Sequence, residues 1–286
     1  MIWPQTTLNC RGTLLDLKNP VVMGIINTTP DSFYKGSRFQ FVEETIKRVG
    51  EMITEGVAVI DIGGMSSRPG AGKITPQEEI ERLKPVLSAV RETFPDQIIS
   101  VDTVWSAVAR WALDLGVHMI NDISGWQMDP LLLDVIAEYR VPYVLMHMKG
   151  TPETMQLEAH YNDVVIEVVD FLIQKLGVLM ERDLYDIIVD PGFGFAKTSA
   201  HNFELLQNLH ALQILEKPVL AGLSRKSTIQ NTLRVEAEDT LNGTTAMNMV
   251  ALQQGAKILR VHDVKEAMEC IKLYNQLKRY DRTKWL

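Results

Sequence analysis

The sequence is short of cysteine and has no long apolar run, and both shortages exclude whole classes of protein. It contains two cysteines, Cys10 and Cys270, and neither lies in a CxxC pair. The six histidines show no HExxH spacing, so a zinc cluster is not expected. No apolar run approaches the length of a membrane span, and the N-terminus lacks the apolar core of a signal peptide. We therefore expect a cytoplasmic protein that does not bind a membrane.

Positive charge is also in short supply. Lysine and arginine number 29 against 36 aspartates and glutamates, which leaves a formal net charge of −7. No block of basic residues runs along the chain. Such a protein is a poor nucleic-acid binder, so we expect small-molecule substrates and no nucleic-acid partner. Any anion site has to be assembled locally by the fold.

What the chain does contain is a recurring pattern of short runs rich in valine and isoleucine. Most of these runs are apolar without alternation, which is typical of parallel strands buried on both faces. The eight runs are residues 21–27, 57–64, 98–103, 118–124, 143–148, 186–192, 218–224 and 257–264.

Helical patterns separate these runs. Thr75 and Glu78 form a capping-box pattern at the start of a helix predicted over 76–92. Pro85 should kink that helix or end it early. Two further helices with apolar stripes are predicted over 161–181 and 265–279.

Eight strands that alternate with helices predict an α/β fold, a single (β/α)8 TIM barrel. The main alternative is an open doubly wound sheet, but no GxGxxG follows the first strand. Short segments within residues 1–20 predict an N-terminal β-hairpin that closes the bottom of the barrel. No linker or low-complexity segment divides the chain, so we expect one domain over residues 1–286.

Polar residues stand at the predicted carboxyl ends of the strands, where TIM barrels carry their chemistry. A single aspartate at a strand end is usually a helix cap or a turn residue. Polar residues at the ends of eight strands, all on one rim of the barrel, are hard to explain by helix capping alone. The polar strand-end residues include Asn27, Asp61, Asp102, Asn121, Asp122, His147, Asp190, Ser224, Arg260 and His262.

These side chains suit two kinds of ligand. Arginine, histidine and serine hold anions with several oxygens, such as a phosphate or pyrophosphate. The anion candidates are Ser67, Arg68, Arg260 and His262. Asp102, Asn121 and Asp190 suit the edge of a heterocycle that offers N–H donors. Lys226 can donate to a ring carbonyl or nitrogen, and Asn27 offers a neutral oxygen to a Mg²⁺ ion held mainly by phosphate and water.

Two stretches resemble phosphate-binding loops without matching one. GFGFAKT (192–198) ends like a Walker A loop, but Ala196 stands where that motif needs glycine before the lysine. GLSRKS (222–227) lacks the first glycine at the required spacing. Neither stretch predicts a nucleotide site.

The chain resembles the dihydropteroate synthase family, the pterin-binding folate enzymes that sulfonamides inhibit. Eight stretches stand in the family's order, which makes the resemblance specific. They are MGIINTTPDSF (23–33), DIGGMSSRPGA (61–71), SVDT (100–103), INDISG (120–125), HMKGTPETMQ (147–156), DPGFGF (190–195), GLSRKS (222–227) and RVHDV (260–264). The resemblance implies a Mg²⁺-assisted homodimer of TIM barrels. Enzymes of this family join a pterin that carries a methyl pyrophosphate to 4-aminobenzoate and release pyrophosphate.

The resemblance also implies a role for each matching residue. The implied pterin contacts are Asp102, Asn121, Asp190 and Lys226. The implied pyrophosphate contacts are Asn27, Ser67, Arg68, Arg260 and His262, with Asn27 also on Mg²⁺. The implied 4-aminobenzoate wall is Phe33, Ser67, Pro69, Phe195, Lys226 and Ser227. The residues expected to take part in catalysis are Arg260, His262, Lys226, Ser67 and Arg68.

Three positions depart from the family pattern. Lys35 stands where aspartate is common, Met65 where glutamate is common and Ala196 where glycine is common. Two alternative functions are a corrinoid-dependent pterin methyltransferase and a non-catalytic pterin-binding paralogue. The methyltransferase has no need of Arg68 in the second loop, and the full set of polar rim residues argues against a paralogue without activity.

Overall fold

The computed structural model describes residues 5–28, 38–66, 72 and 74–280, with 38 and 39 described by backbone alone. Within these residues eight parallel strands form one sheet. The strands are β3 (Val21–Asn27), β4 (Val59–Gly63), β5 (Ile98–Asp102), β6 (Met119–Asp122), β7 (Tyr143–Met146), β8 (Ile187–Asp190), β9 (Leu220–Ala221) and β10 (Ile258–Val261). An antiparallel hairpin precedes them, formed by β1 (Thr7–Cys10) and β2 (Thr13–Asp16).

Helices follow the strands and surround the sheet. They are α1 (Arg38–Glu55), α2 (Pro76–Thr93), α3 (Ser106–Asp114), α4 (Leu132–Tyr139), α5 (Val164–Met180), α6 (Ser199–Gln207), α7 (Ser227–Leu233), α8 (Leu241–Gln253) and α9 (Val264–Arg279). Short 3₁₀ segments occupy Leu209–Leu215 and Ala237–Thr240. None of the helices in the described part of the chain is long and apolar enough to cross a membrane.

The sheet closes into a barrel. Its strand order is β8-β7-β6-β5-β4-β3-β10-β9. A parallel bridge between Val189 and Val219 connects the two ends, and the Val189 amide donates to the Pro218 carbonyl at 2.9 Å. The predicted (β/α)8 barrel is confirmed. That one domain spans residues 1–286 stays a prediction, since both chain ends lie outside the described residues.

The lower interior of the barrel is apolar and is sealed by the hairpin. Every second strand residue points inward, and at this level the inward residues pack with side chains from β1, β2 and the segment after them. The cluster comprises Leu8, Cys10, Leu15, Leu17, Met23, Val59, Ile98, Met119, Val144, Ile188, Leu220 and Ile258. Burial raises the pKa of the Cys10 thiol to about 12, so this cysteine behaves as a small hydrophobe. The predicted closure by an N-terminal hairpin is confirmed.

Local signals place the helix boundaries well. Thr75 and Glu78 form the predicted capping box at the start of α2. Pro85 does not end that helix, which continues to Thr93. The carbonyl that Pro85 leaves without a donor belongs to the exposed Glu81, where water can satisfy it. The helix predicted over 161–181 is α5, and it begins later than expected because Asp163 caps it.

Candidate active site

The inward positions near the carboxyl ends of the strands carry polar side chains. The strand register pairs Asp102 with its neighbour Asn121, and Met146 with Asp190. Arg260 lies on β10 two residues after the apolar Ile258. Along β6, β8 and β10 the inward side chain therefore changes from apolar to polar within two residues, whereas β7 keeps the apolar Met146 at the upper level.

Arg260 is the centre of a buried network that joins four strands. Its Nε donates to Asp61 Oδ2 at 2.7 Å, and its Nη2 donates to Asp102 Oδ2 at 2.7 Å. Asn121 Nδ2 donates to the same oxygen of Asp61 at 3.0 Å. The planar guanidinium can hold two carboxylates at once, which a lysine ammonium cannot reproduce.

Charge in this network is only partly balanced. Asp61 is fully buried, and its Oδ1 has no hydrogen-bond partner among the described residues. Burial raises the pKa of Asp102, while the Arg260 guanidinium opposes that rise. Burial acts to lower the pKa of Arg260, but the neighbouring carboxylates raise it overall, so the arginine stays charged. One cation lies between two carboxyl groups, and the rim retains acceptor capacity for a ligand that brings N–H donors.

Asp190, Lys226 and Phe195 form a second part of the rim. Asp190 Oδ1 accepts a hydrogen bond from the Gly192 amide at 2.7 Å, and burial raises the pKa of this carboxyl. The Lys226 Nζ lies 4.3 Å from the centre of the Phe195 ring. Burial lowers the pKa of Lys226 to about 8, and the Arg260 charge adds to that effect. Lys226 is therefore mostly charged at neutral pH but is able to lose its proton near pH 8.

His262 follows β10 and is held by Ser224. The Ser224 hydroxyl lies 3.0 Å from His262 Nδ1, and it also accepts from the His262 amide at 3.2 Å. Burial lowers the pKa of His262 to about 4, and the nearby Arg225 and Arg260 lower it further. The imidazole is neutral at pH 7 in the absence of an anion. Arg225 forms a bidentate pair with Asp263 at 3.2 and 2.7 Å.

Asp122 stands at a strand end like the site residues but serves the turn that follows β6. Its carboxylate accepts from the Ser124 amide and hydroxyl at 2.7 Å, from the Trp126 amide at 2.6 Å and from the Tyr143 hydroxyl at 2.6 Å. Four donors saturate this group. It therefore stabilises the loop and has little capacity left for a ligand.

Several predicted site residues lie outside the described residues. They are Phe33, Ser67, Arg68 and Pro69. Lys35, which departs from the family pattern, is also outside the described residues. Asn27 is described and is exposed at the end of β3. Ser227 is exposed at the start of α7. Met65 is partly buried against a small apolar cluster that includes Phe195 and Ala196.

The structure adds three residues to which the sequence analysis assigned no role. Asp61 was recognised only as a strand end, and its pairing with Arg260 depends on the closure of the barrel. Ser224 was recognised in the same way, without its contact to His262. Lys197 belongs to the Walker-like stretch 192–198, and the structure places it almost fully buried beneath that loop. The local signal for Lys197 was its position between a glycine-rich segment and a helical one.

A cavity of about 430 Å³ lies beside the rim, between the segment that follows β7 and helix α5. Its lining includes His147, Lys149, Glu167 and Phe171. None of the predicted substrate contacts that the structure describes lines it. The Lys149 ammonium already donates to Glu167 at 2.7 Å and to the His160 carbonyl at 2.7 Å, so the polar groups there are largely satisfied by each other.

Comparisons with known proteins agree with this geometry. The family described as "Pterin binding enzyme" matches residues 23–262. The dihydropteroate synthase of Escherichia coli strain K12 is 41% identical over 272 residues, covering 93% of this chain and 94% of the relative. The Yersinia pestis dihydropteroate synthase, solved with a sulfonamide drug, has a TM-score of 0.89 at 38% identity and covers 96% of this chain and 99% of its own. The Xanthomonas albilineans enzyme, solved with 4-aminobenzoic acid, has a TM-score of 0.88 at 39% identity and covers 96% and 98%.

The barrel and its polar rim define the class: a (β/α)8-barrel enzyme with the architecture of the pterin-binding enzymes. Within that class the sequence identity extends over nearly the whole length of the relatives. The chain belongs to the dihydropteroate synthase family.

Proposed function

We propose that the rim residues described above carry out the dihydropteroate synthase reaction. In this reaction 6-hydroxymethyl-7,8-dihydropterin pyrophosphate condenses with 4-aminobenzoate to give 7,8-dihydropteroate and pyrophosphate. The observation that carries the proposal is the Arg260 network, in which one guanidinium lies 2.7 Å from carboxylate oxygens of two strands at the open end of the barrel. It brings a cation for the pyrophosphate next to acceptors for the pterin.

The pterin contacts we propose are Asp102, Asn121, Asp190 and Lys226. A pterin edge offers ring and exocyclic N–H donors, and Asp102 and Asp190 supply carboxylate acceptors for them. Lys226 supplies an ammonium for the ring carbonyl. Asp190 is 6% exposed. The hydrogen bond that its carboxylate accepts from the Gly192 amide therefore fixes it in an environment with little water. Hydrogen bonds to a buried charged group discriminate strongly against ligands that lack the matching donor.

The pyrophosphate contacts we propose are Arg260 and His262, together with Asn27, Ser67 and Arg68. Arg260 retains its charge, and His262 becomes a better proton acceptor beside an anion. Both residues belong to the last strand and the turn after it. The leaving group therefore meets the Arg260 cation and the His262 imidazole on one side of the barrel, while the pterin meets acceptors on the other strands.

The proposed 4-aminobenzoate wall consists of Phe33, Ser67, Pro69, Phe195, Lys226 and Ser227. Of the described members, Phe195 is 6% exposed and supplies an apolar face. The Lys226 ammonium next to that ring favours an anionic aryl group at this position. The Ser227 hydroxyl is exposed and is a further donor for the carboxylate.

Magnesium fits this site as a partner of the pyrophosphate. Among the described residues no group of three or more histidine, cysteine, aspartate or glutamate side chains can hold a metal ion. A protein cage is therefore absent from that part of the chain, and the fitting arrangement is one protein oxygen with phosphate and water oxygens completing the shell. Asn27 is the residue we propose to hold it. The ion would supply further charge stabilisation for the departing pyrophosphate.

Catalysis then rests on orientation and on stabilisation of the leaving group. The amine nitrogen of 4-aminobenzoate forms a bond to the pterin methylene carbon, and the bond from that carbon to the pyrophosphate oxygen breaks. The electron pair leaves with pyrophosphate, and the amine releases one proton. An aryl amine is neutral at pH 7, so no strong base is required. Arg260 and His262, with Lys226, Ser67 and Arg68, are the residues we assign to this step.

We further propose that the protein works in the cytoplasm as a homodimer. On α9 the side chains of Leu273 and Leu277 are 61% and 56% exposed, and their spacing places them on one face of the helix. Tyr280, directly after the helix, is 82% exposed. A second copy of the chain is the partner we expect on that face. Sedimentation analysis of the wild type and of Leu277→Glu checks it, with a monomeric wild type contradicting the proposal.

A turnover assay with the purified chain tests the function. We expect dihydropteroate and pyrophosphate in equal amounts from the two substrates, loss of activity with a chelator and recovery with Mg²⁺. Asp102→Asn should weaken pterin binding by about tenfold or more, because a charged acceptor becomes a neutral amide. A chain that binds the pterin but forms no product would instead support the non-catalytic paralogue, and methyl transfer to a corrinoid would support the methyltransferase.

A further inference from the structure

Lys197 has a buried side-chain amine at the end of the loop that follows β8. It is 4% exposed. Its Nζ lies 2.9 Å from His147 Nδ1, 3.0 Å from the Gly192 carbonyl oxygen and 3.0 Å from the Phe195 carbonyl oxygen. Burial lowers the pKa of this amine to about 7, and the Asp190 carboxylate opposes that shift. The three acceptors match the three donors of its ammonium form. Neither the sequence motifs nor the reaction proposed above assigns this lysine a role.

The contact with His147 defines the state of that imidazole. Burial lowers the pKa of His147 to about 2, and the Lys197 charge adds to the effect, so the ring is neutral. The protonated form of Lys197 only donates, so beside it His147 Nδ1 accepts and the ring proton resides on Nε2. The ring is also held edge-on against Phe171, with centroids 4.9 Å apart. His147 is therefore a fixed acceptor, and it anchors Lys197 to β7.

The other two contacts fix the loop that carries two proposed substrate contacts. The Gly192 amide donates to Asp190, and the Gly192 carbonyl accepts from Lys197. Gly192 has a φ of +71°, and a Cβ there would overlap the His147 carbonyl oxygen. At the far end of the loop, Lys197 holds the carbonyl of Phe195. One ammonium thus connects the backbone next to Asp190 with the backbone of Phe195.

Ala196 shows that the loop is held against a conformational cost. This residue has a φ of +49°, in the left-handed region that costs a non-glycine residue about 1–2 kcal/mol. Its side chain is fully buried in the cluster that contains Phe195, Met146 and Met155. The family that this chain resembles commonly has glycine at this position. Here alanine adopts the left-handed conformation between Phe195 and Lys197, and the Lys197 bond to the Phe195 carbonyl restrains the backbone next to it.

We propose that Lys197 is a positioning residue that sets the pterin contact Asp190 and the aryl-amine contact Phe195 in one binding geometry. This inference rests on the substrate roles proposed above for those two residues. Lys197 itself does not meet substrate in this arrangement. Its removal should therefore weaken both organic substrates together while leaving the pyrophosphate contacts on β10 unaffected.

Lys197→Met is the principal test, because methionine keeps the length and removes the three donors. We expect the pterin Kd and the KM for 4-aminobenzoate each to rise about tenfold or more, as for the loss of hydrogen bonds to a charged donor. The Kd for pyrophosphate should stay within about twofold, inside the scatter of single-contact effects. A folded Lys197→Met protein with wild-type values for both organic substrates overturns the proposal.

Lys217→Met is the matched control. Lys217 also donates to two acceptors, Gln5 Oε1 at 2.9 Å and the Tyr185 carbonyl at 2.8 Å, but it lies at the opposite end of the barrel. The Lys217→Met variant should have a lower thermal midpoint of unfolding, with an unchanged pterin Kd and an unchanged KM for 4-aminobenzoate. An equal rise of KM in this control would show that the effect of Lys197→Met reflects general loosening of the barrel and would overturn the proposal.

Asp190→Asn separates this inference from the function it rests on. If Asp190→Asn weakens the pterin and Lys197→Met acts through Asp190, the double variant should lose less affinity than the two single effects combined. Fully additive losses contradict positioning through Asp190. If Asp190→Asn leaves pterin affinity unchanged, the pterin role itself is wrong and the inference fails with it.

His147→Phe keeps the inference testable if Lys197→Met does not fold. This change removes one acceptor and leaves both loop carbonyls bonded to Lys197. We expect a rise of both organic substrate constants that is smaller than for Lys197→Met, again without a change in pyrophosphate affinity. Wild-type constants in a folded His147→Phe protein contradict the proposed anchor.

Discussion

The lower and upper halves of the barrel interior differ in polarity, although the same strands form both. On β4 the lower inward residue is Val59 and the upper one is Asp61, and on β10 the corresponding pair is Ile258 and Arg260. The lower residues pack with the hairpin in a closed apolar cluster. The upper residues bond to each other across strands, and within the part of the chain that the structure describes one oxygen of the buried Asp61 has no hydrogen-bond partner.

This contrast separates stability from function along the barrel axis. Apolar side chains in the lower half gain free energy from burial in proportion to their area. Charged side chains in the upper half lose hydration, and their mutual contacts compensate for that loss only when the geometry is good. Such a costly arrangement is retained at the end where a ligand can complete it. Changes in the lower half should therefore affect folding, and changes in the upper half should affect binding and turnover.

Met23→Ala should produce the largest effect on stability. Met23 is fully buried in the lower cluster, so truncation leaves a cavity that costs about 2–5 kcal/mol of the free energy of unfolding. Substrate constants should not change. Chemical denaturation and steady-state kinetics check both statements. Met180→Ala is the control, because Met180 is 52% exposed on α5 and should change stability by less than about 0.5 kcal/mol.

Arg260→Lys should produce the largest effect on activity. Lysine keeps the charge but cannot bond to Asp61 and Asp102 with one planar group. We expect kcat/KM to fall by about 10²–10³-fold, which is typical for the loss of one preorganised donor. Arg110→Lys is the matched control, since Arg110 makes a bidentate pair with Glu138 on the outer helices. Wild-type turnover in Arg260→Lys would show that the essential cation lies elsewhere.

Ser224→Ala should have a smaller effect, confined to the anion. The hydroxyl that contacts His262 Nδ1 is lost, at a cost of about 1 kcal/mol, or a fivefold weaker affinity for pyrophosphate. Calorimetric titration with pyrophosphate measures it. Pterin affinity is the internal reference, and an equal loss for both ligands would contradict a local role.

The pH dependence of pyrophosphate binding should give the smallest and most specific effect. Free His262 has its pKa lowered to about 4 by burial, and a bound anion favours the protonated ring and raises that pKa. Between these two values the complex holds more protons than the free protein, so affinity rises as the pH falls through that range. Calorimetry in buffers of different ionisation enthalpy reports the proton uptake. His262→Gln should remove the part of it that exceeds the titration of pyrophosphate itself.

Much of the architecture could be predicted because it depends on local patterns. The strands β3 to β8 were recognisable as buried apolar runs, and the capping box of α2 was recognisable from Thr75 and Glu78. Strand β9 was predicted over 218–224 but covers only Leu220–Ala221. Its apolar residues beyond that point belong to the rim loop, and a short apolar run does not reveal where backbone pairing stops.

The candidate site was predicted as a set of residues and not as a set of contacts. Asp102, Asn121, Asp190, Lys226, Arg260 and His262 all lie at the polar end of the barrel. Asp61 and Asp122 both stand at strand ends and carried the same signal. Asp61 pairs with Arg260, whereas the Asp122 carboxylate is fully hydrogen-bonded within and beside the turn that follows β6. Composition and spacing do not distinguish these two outcomes.

The sequence by itself determined the barrel, the hairpin beneath it and the chemical types available at its open end, because apolar periodicity and capping act over a few residues. Only the tertiary structure decided which charges meet. Arg260 bonds to Asp61 and Asp102 across 199 and 158 residues of chain, and Lys197 bonds to His147 across 50. Such contacts require β10 to close against β3 and β8 to lie beside β7, and strand register sets which side chains share a level. The energy of a buried charge depends on its neighbours at that level, and no local pattern encodes them.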